Sequence, residues 1–219
     1  MSDARFPPAG TFDAGPFGAW LSKLRASLRG DAGMDVPCGD CTGCCTSGYS
    51  IQLRRTDGAA RALVPSELVV EAPGFAPGDL TLPARDDGTC PMLHSGRCSI
   101  YAQRPQTCLD YDCRIFAAAG LDAGGADKAV INRRVRAWRF SYEGEAERRS
   151  HDAVRTAARF IRERPEAFSA LGVRVPAGPM GIAVLAIKAH AALLDPAAPA
   201  DDAGRARAMI AAGRAYDGG

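Results

Sequence analysis

The sequence contains few lysines, few histidines and almost no net charge. Its 219 residues include 27 Lys and Arg against 25 Asp and Glu, for a formal net charge of +2. Nucleic-acid-binding domains usually carry a clear excess of basic residues, so this balance argues against such a partner. The whole chain contains three histidines, so few residues are available for histidine-based catalysis or metal binding. We therefore expect no nucleic-acid partner.

Long apolar segments are missing as well. The longest apolar run, Met180 to Leu194, is 15 residues long and contains Lys188 and His190, whereas a helix that spans a bilayer needs about 20 apolar residues. The N-terminal residues show no basic region followed by a continuous apolar core, so we expect no secretory signal. The sequence predicts a soluble protein of a reducing cytoplasm without a membrane partner.

What the chain does have is the composition of a globular protein, with 47% hydrophobic and 24% charged residues. Near the N-terminus, Phe17, Leu21, Leu24 and Leu28 repeat at helical spacing. Pro16 suits the start of this helix and Gly30 its end. We expect the helix to cover the cysteine-rich part of the chain.

The segment from about Gly39 to about Gly120 has a different texture. Short apolar runs alternate with Gly, Pro, Asp, Thr and Ser, and there is little regular periodicity. Such a segment buries too little apolar surface to order itself, so another interaction must hold it together. The cysteines lie here, and a bound metal would supply that interaction.

The last third of the sequence has helical patterns. Ile131, Val135, Trp138 and Tyr142 share a helical spacing, and further helices are predicted over residues 151–164, 180–194 and 201–216. Arginines between residues 133 and 164 alternate with acidic residues, which favours a solvated, salt-bridged face. The predicted fold class is α plus irregular. An N-terminal helix and a small, loop-rich, metal-stabilised cysteine domain occupy residues 1–122, and an α-helical C-terminal lobe occupies residues 126–219.

The eight cysteines follow a compact pattern. Four lie within eight residues, and four more follow at wider intervals: Cys38, Cys41, Cys44, Cys45, Cys90, Cys98, Cys108 and Cys113. A disulfide framework is disfavoured by the chain length and the expected cytoplasmic setting. A catalytic thiol is disfavoured because nothing distinguishes one cysteine from the others. Zinc and an iron–sulfur cluster remain open.

The spacing of the cysteines is relevant to both zinc and an iron–sulfur cluster. Two intervening residues let a pair of thiolates turn back on one zinc ion, and eight cysteines could fill two tetrahedral sites. The four later cysteines, from Cys90 to Cys113, lack a second Cys-x2-Cys pair, however. The Cys-x2-Cys-x2-Cys spacing of the first three cysteines suits three corners of an iron–sulfur cubane. We favour an iron–sulfur cluster, with zinc as the alternative. Adjacent Cys44 and Cys45 rarely converge on one ion, so they serve two sites or one polynuclear site, or one of them packs as a small apolar residue.

The segment CGDCTGCC, together with GTCPMLHSGRCSIYAQRPQTCLDYDC, resembles the YkgJ-type cysteine-cluster family, a zinc- or iron-chelating domain defined by CxxCxxCC and four further cysteines. The resemblance covers about residues 36 to 115 and includes Pro91, Ile100, Tyr101, Arg104 and Pro105. It implies that all eight cysteines are metal ligands. Tyr101 and Arg104 are candidates for a supporting role around the metal, where Arg104 could offset thiolate charge. His94 is expected to be an exposed loop residue.

The implied function is metal binding, with a role in electron transfer or redox sensing and an unknown protein or redox partner. One alternative is a structural zinc module for protein interaction. Flagellin lysine N-methylases have a similar cysteine cluster, so a protein methylation-type enzyme is a further alternative. No strand-bound glycine-rich nucleotide site supports it, and whether the protein is an enzyme stays open.

Overall fold

Helices form most of the regular structure in a computed structural model that describes residues 10–30, 33–34, 36, 40–72, 74–195 and 197–218. The predicted helical C-terminal region is confirmed, and the remainder combines short helices, short strands and loops. The helices are α1 (Phe17–Ser27), α2 (Gly58–Leu63), α3 (Gln106–Asp110), α4 (Arg114–Ala119), α5 (Ala129–Ala137), α6 (Glu145–Glu163), α7 (Pro165–Ser169), α8 (Pro179–Ala189) and α9 (Asp202–Gly218).

The strands are short and pair in small sheets. β1 pairs in parallel with β7, β4 lies between β2 and β3 in an antiparallel sheet, and β5 and β6 form a hairpin. Their bounds are β1 (Phe12–Pro16), β2 (Ile51–Leu53), β3 (Val70–Glu71), β4 (Leu80–Leu82), β5 (Leu93–His94), β6 (Arg97–Cys98) and β7 (Trp138–Ser141).

Contacts group the chain into two units that do not follow the order of the sequence. The helical unit comprises Met1–Asp31, Cys113–Gly124 and Val135–Gly219, and the cysteine unit comprises Ala32–Asp112 and Gly125–Arg134. The boundary that the sequence suggests, between residues 122 and 126, groups α1 with the cysteines. The contacts group α1 with the C-terminal helices.

The helical unit is built around α6 and α8. The buried face of α6 includes Val154, Ala157, Ala158 and Ile161, whereas its other positions are mainly charged. The α8 helix is apolar on most of its surface, as its sequence predicted. Alanines on both helices allow close approach, because their small side chains keep the helix axes near each other. The predicted helices at residues 151–164, 180–194 and 201–216 are thus confirmed, the second ending in a 3₁₀ turn at His190–Leu193.

Residues 138–141 form a strand, and the predicted continuous helix through Trp138 and Tyr142 is wrong. The helix α5 ends at Ala137, and β7 then pairs with β1 at the positions Phe12 and Trp138. Aromatic residues in alternation favour an extended backbone when one side of the strand is buried. Tertiary pairing with a strand from the other end of the sequence therefore overrides the helical spacing.

The predicted N-terminal helix is confirmed as α1. Phe17, Trp20, Leu21 and Leu24 are its buried residues, and the Phe17 ring lies 5.3 Å from the Phe140 ring, centroid to centroid. This ring contact joins α1 to the helical unit, and the expectation that α1 covers the cysteine-rich part stays a prediction.

The cysteine unit has a small apolar core of its own. Leu53 of β2 and Leu82 of β4 are fully buried, and Met92 and Ile100 complete the centre. Cys90 and Cys98 pack against this core as partly buried residues. The core therefore holds two of the candidate metal ligands by ordinary apolar contact.

Along the described residues, no helix combines the length and apolar character that crossing a membrane requires.

Candidate metal centre

The proximal cysteines lie on a tight turn. Cys44 and Cys45 open a 3₁₀ turn, Cys44–Thr46, whose hydroxyl-bearing residues fix it locally: the Thr46 hydroxyl donates to the Thr42 carbonyl at 3.0 Å. The Gly43 N–H points at the Cys41 sulfur, with 3.4 Å between N and Sγ. This turn presents three half-buried thiols on one short segment.

Cys44 and Cys45 lie side by side. Their sulfur atoms are 4.0 Å apart and both side chains are half-buried. Neither residue is therefore a fully buried apolar filler, which was one of the alternatives for this pair. Two thiols at this spacing could ligate neighbouring metal ions.

Cys90 is tied to the proximal turn by the backbone. Its N–H donates to the Cys45 carbonyl with an N–O distance of 2.7 Å. The Arg85 guanidinium holds the other side of this segment by donating to the Pro91 carbonyl at 2.8 Å. These bonds hold the Cys90 segment directly against the turn that bears Cys44 and Cys45.

A tight hairpin positions Cys98. Strands β5 and β6 pair Leu93 with Cys98, and the connecting residues Ser95 and Gly96 have φ angles of 47° and 75°. A two-residue hairpin turn requires positive φ at both positions, which glycine adopts without strain. The chain thereby reverses between Cys90 and Cys98. His94 is exposed on this hairpin, in line with the expectation that it lies on the surface.

The short helix α3 carries Cys108. The helix begins after Pro105, and the Asp57 carboxylate accepts the Gln106 N–H at 3.0 Å. The Thr107 hydroxyl donates to the Gln52 carbonyl of β2 at 2.9 Å. Arg54 and Asp110 add an ion pair of 3.0 Å. This anchoring connects the Cys108 helix to the core sheet of the cysteine unit.

The thiols of this region influence one another electrostatically. Burial, together with the charges of Cys44, Cys90 and Cys98, raises the pKa of Cys108 to about 12, and the charge of Arg104 acts in the opposite direction. Burial also raises the pKa of Cys90, with contributions from Cys98 and Cys44. The hydrogen bond with Cys45, followed by burial, raises the pKa of Cys44. Without a nearby cation, these thiols hold their protons at neutral pH.

Tyr101 and Arg104 contact each other as the three-residue spacing predicted. The Arg104 guanidinium lies 4.2 Å from the centre of the Tyr101 ring and donates to the Tyr101 carbonyl at 2.9 Å. Because Arg104 lowers the pKa of Cys108, its positive charge reaches the thiol group. Tyr101 is largely exposed and acts on Arg104 rather than on a cysteine.

Cys113 lies in the helical unit, and Cys38 lies outside the described residues. Cys113 is buried, and its sulfur accepts the indole N–H of Trp138 at 3.2 Å. Trp138 had been interpreted only as part of a helix. A buried thiol beside an indole has no sequence signature, so this contact could not be anticipated.

Lys128 is a second residue that the sequence did not single out. Its ammonium group donates to the Ser47 carbonyl, just after the cysteine turn, and lies 4.6 Å from the centre of the Tyr49 ring. It therefore links the start of α5 to the segment that follows Cys45. In the sequence, Lys128 is distinguished only by the rarity of lysine in this chain.

The donor chemistry of the region suits a soft or borderline metal. Within the described ranges, no three His, Cys, Asp or Glu side chains lie close enough together to coordinate one metal ion. The donors that gather are thiols, which as thiolates bind zinc and iron–sulfur clusters. A bound cation would offset the mutual repulsion that raises the pKa of Cys108 and Cys90, and metal binding would release the protons.

Several cysteine-bearing segments are held together by backbone hydrogen bonds around a small core. Residues 37–126 match the CxxCxxCC family, whose description reads "Putative zinc- or iron-chelating domain". The resemblance is confirmed over these residues. Neither the curated proteins nor the solved structures contain a match to the chain.

Proposed function

We propose that the cysteine unit holds an iron–sulfur cluster and that the protein transfers electrons or senses redox state together with a protein partner. The ligands come from the cysteines of this unit that the family pattern implies: Cys38, Cys41, Cys44, Cys45, Cys90, Cys98 and Cys108. The same pattern implies Cys113 as an eighth ligand, and Cys113 belongs to the helical unit. Zinc bound by the same thiols in a structural module is the competing assignment.

The number of thiols that influence one another electrostatically carries this proposal. Cys44 and Cys45 have sulfur atoms 4.0 Å apart, and the charges of Cys44, Cys90 and Cys98 all act on Cys108. These five thiols exceed the four that one tetrahedral zinc ion takes. A polynuclear metal centre, or two separate centres, would have ligand positions for the fifth thiol. The Cys-x2-Cys-x2-Cys spacing then favours a cluster over two separate zinc ions.

The redox role follows from the ligand chemistry. A cluster ligated by cysteine alone has no open position for a substrate, so its chemistry is the gain and loss of an electron. Six of the candidate ligands are half-buried: Cys41, Cys44, Cys45, Cys90, Cys98 and Cys108. This exposure supports a centre near enough to the surface for a partner to exchange electrons with it. Arg104 would stabilise the anionic, reduced form through its charge.

Elemental analysis tests the proposal directly. The protein is purified without oxygen and without a metal-affinity tag, and iron, acid-labile sulfide and zinc are measured together with the optical spectrum. Iron with sulfide and a broad band near ~400 nm would support a cluster. Zinc at about two ions per chain with a featureless visible spectrum would overturn the cluster and establish a structural zinc domain.

Separate Cys44→Ser and Cys45→Ser variants test whether both adjacent thiols are ligands. We expect each substitution to lower the metal content, because a serine hydroxyl is a much poorer ligand than a thiolate for either metal. His94→Ala is the matched control, since His94 is exposed on the hairpin next to Cys98. Full metal content in either cysteine variant would remove that residue from the ligand set.

A further inference from the structure

The helical unit contains a cavity rich in arginine, and its lining includes none of the candidate metal ligands. It lies where α4 ends against α6 and has a volume of about 420 Å³. Its polar and turn-forming walls are Gly120, Asp152, Arg155, Thr156, Arg159 and Arg162. Gly120 ends α4 with a φ of +66°, which turns the chain away and leaves the space open.

The three arginines share one face of α6. Arg155, Arg159 and Arg162 are spaced by four and three residues, so their side chains project in the same direction. All three are exposed. Arg162 pairs with Glu163 at 3.2 Å, whereas Arg155 and Arg159 have no hydrogen-bond or ion-pair partner among the described residues. The salt-bridged face expected from the sequence therefore does not form here.

The charge of the cavity is not balanced by the protein. Asp152 is the single acidic residue of the lining, and Glu163 pairs with Arg162 from outside it. Arg155 and Arg159 are thus the two lining arginines without an ion pair in the described part of the chain. Arginines four residues apart on a helix repel each other and destabilise it. A bound dianion would remove this repulsion.

We propose that this cavity binds the phosphate group of a small organic phosphate monoester. Arginine presents a planar fork of N–H donors that matches phosphate oxygens in pairs, and the Thr156 hydroxyl adds a further donor. A phosphate monoester carries close to two negative charges at neutral pH, so it can pair with both arginines that lack an ion pair. The volume lies within the range of small-molecule sites and leaves space for the organic part of the ligand.

Calorimetric titration of the metal-loaded, full-length protein tests the proposal. The probes are ribose 5-phosphate, glycerol 3-phosphate and adenosine 5′-monophosphate, with inorganic phosphate, sulfate and glycerol as comparison ligands at constant ionic strength. We expect at least one monoester to bind about tenfold more tightly than sulfate, and salt to weaken it. Absence of monoester binding, or sulfate binding of equal strength, would overturn the proposal.

Three variants locate the site. Arg155→Gln and Arg159→Gln should each weaken monoester binding by about tenfold or more, since each removes hydrogen bonds to a charged group. Arg149→Gln is the matched control, because Arg149 is exposed on the same helix and does not line the cavity. An equal loss in Arg149→Gln would mean unspecific attraction to the helix surface. Metal content and melting temperature, measured on all three variants, should equal those of the unsubstituted protein.

Discussion

The indole of Trp138 donates its N–H to the Cys113 sulfur at 3.2 Å in a buried part of the helical unit. A hydrogen bond between neutral groups stabilises the folded state by about 1 kcal/mol, and a buried donor left without a partner costs more. The pair therefore gives Cys113 a structural role besides its implied role as a ligand, and that structural role is measured on the metal-free protein.

A double-mutant cycle measures that role. Trp138→Phe should lower the free energy of unfolding by about 1–3 kcal/mol, because it removes both the N–H donor and apolar volume. The same change in a Cys113→Ala background should cost less, since the acceptor is already gone. Urea unfolding of the four proteins gives the coupling. Equal costs in both backgrounds would show that the contact contributes nothing.

His151 predicts a pH dependence of stability. Burial, followed by the charge of Arg155, lowers its pKa to about 4, whereas an unfolded histidine has a pKa near ~6.5. Between these values the unfolded chain binds a proton that the folded chain does not, so stability falls as the pH falls from about 6.5 to 4. After allowance for solvent screening, the loss is about 2 kcal/mol.

Unfolding in urea at pH 7 and pH 5 checks this. His151→Gln should unfold with a smaller pH dependence than the unsubstituted protein, while keeping a polar partner for the Tyr142 hydroxyl, which lies 2.7 Å from His151 Nδ1. His94→Gln is the control, as His94 is exposed, and should leave the pH dependence unchanged. An unaltered slope in His151→Gln would show that another group is responsible.

For single residues, the sequence predicted the candidate metal ligands better than it predicted the residues that contact them. The cysteine spacing marks candidate ligands directly, and the three-residue interval places Arg104 over Tyr101. The contacts of Trp138 with Cys113 and of Lys128 with Ser47 join residues far apart in the chain. Local spacing contains no information about such pairs, so they could not be predicted.

Among the elements, the cysteine turn packs closely on α5. A Cβ added to Gly43 would lie 3.2 Å from the Ile131 Cα and 3.4 Å from the Cys41 sulfur. The nearest of these atoms belongs to the helix backbone, which cannot move as a side chain can. The turn therefore accepts only glycine at this position without a shift.

Gly43→Ala should accordingly destabilise the cysteine unit by about 1–3 kcal/mol, as overpacked interiors do, and should lower its metal content. Gly58→Ala is the control: Gly58 begins α2 and a Cβ there meets no atom within 4 Å, so alanine should be neutral or stabilising by up to about 1 kcal/mol. Thermal melts and metal analysis compare the two. Equal stability would contradict the close packing.

Elements were predictable where one local pattern dominates. The helices α1, α6, α8 and α9 have apolar positions at helical spacing or apolar residues throughout, and the structure contains them. The strand β7 was missed because its pairing with β1 depends on residues more than a hundred positions away. The strands β5 and β6 have too few residues to show an alternating pattern of apolar and polar residues. The Ser-Gly turn between them can be recognised in the sequence.

For the whole molecule, the two units differ in how much apolar core they possess. The core of the cysteine unit is centred on a few residues of short strands and loops, whereas long amphipathic and apolar helices pack together in the helical unit. Metal binding would thus provide a larger share of the stability of the cysteine unit, because the binding energy of such a domain is also folding energy.

Removal of the metal by a strong chelator under reducing conditions should expose the cysteine unit selectively. Hydrogen exchange followed by mass spectrometry should show faster exchange in residues 40–72 and 74–112, while α6 and α8 keep their protection. The Cys45→Ser protein should show the same pattern without chelator. Uniform acceleration across both units, or no change in either, would contradict this division of stability.

The parallel pairing of β1 with β7 has a consequence for biosynthesis. Phe12 finds its partner Trp138 only after about 125 further residues have been made, which takes roughly 6–25 s at ordinary rates of translation. During that interval the apolar face of α1 leaves the ribosome without the strand that completes its packing. The CxxCxxCC segment is synthesised within the same interval, so its thiols can acquire metal while the helical unit is still incomplete.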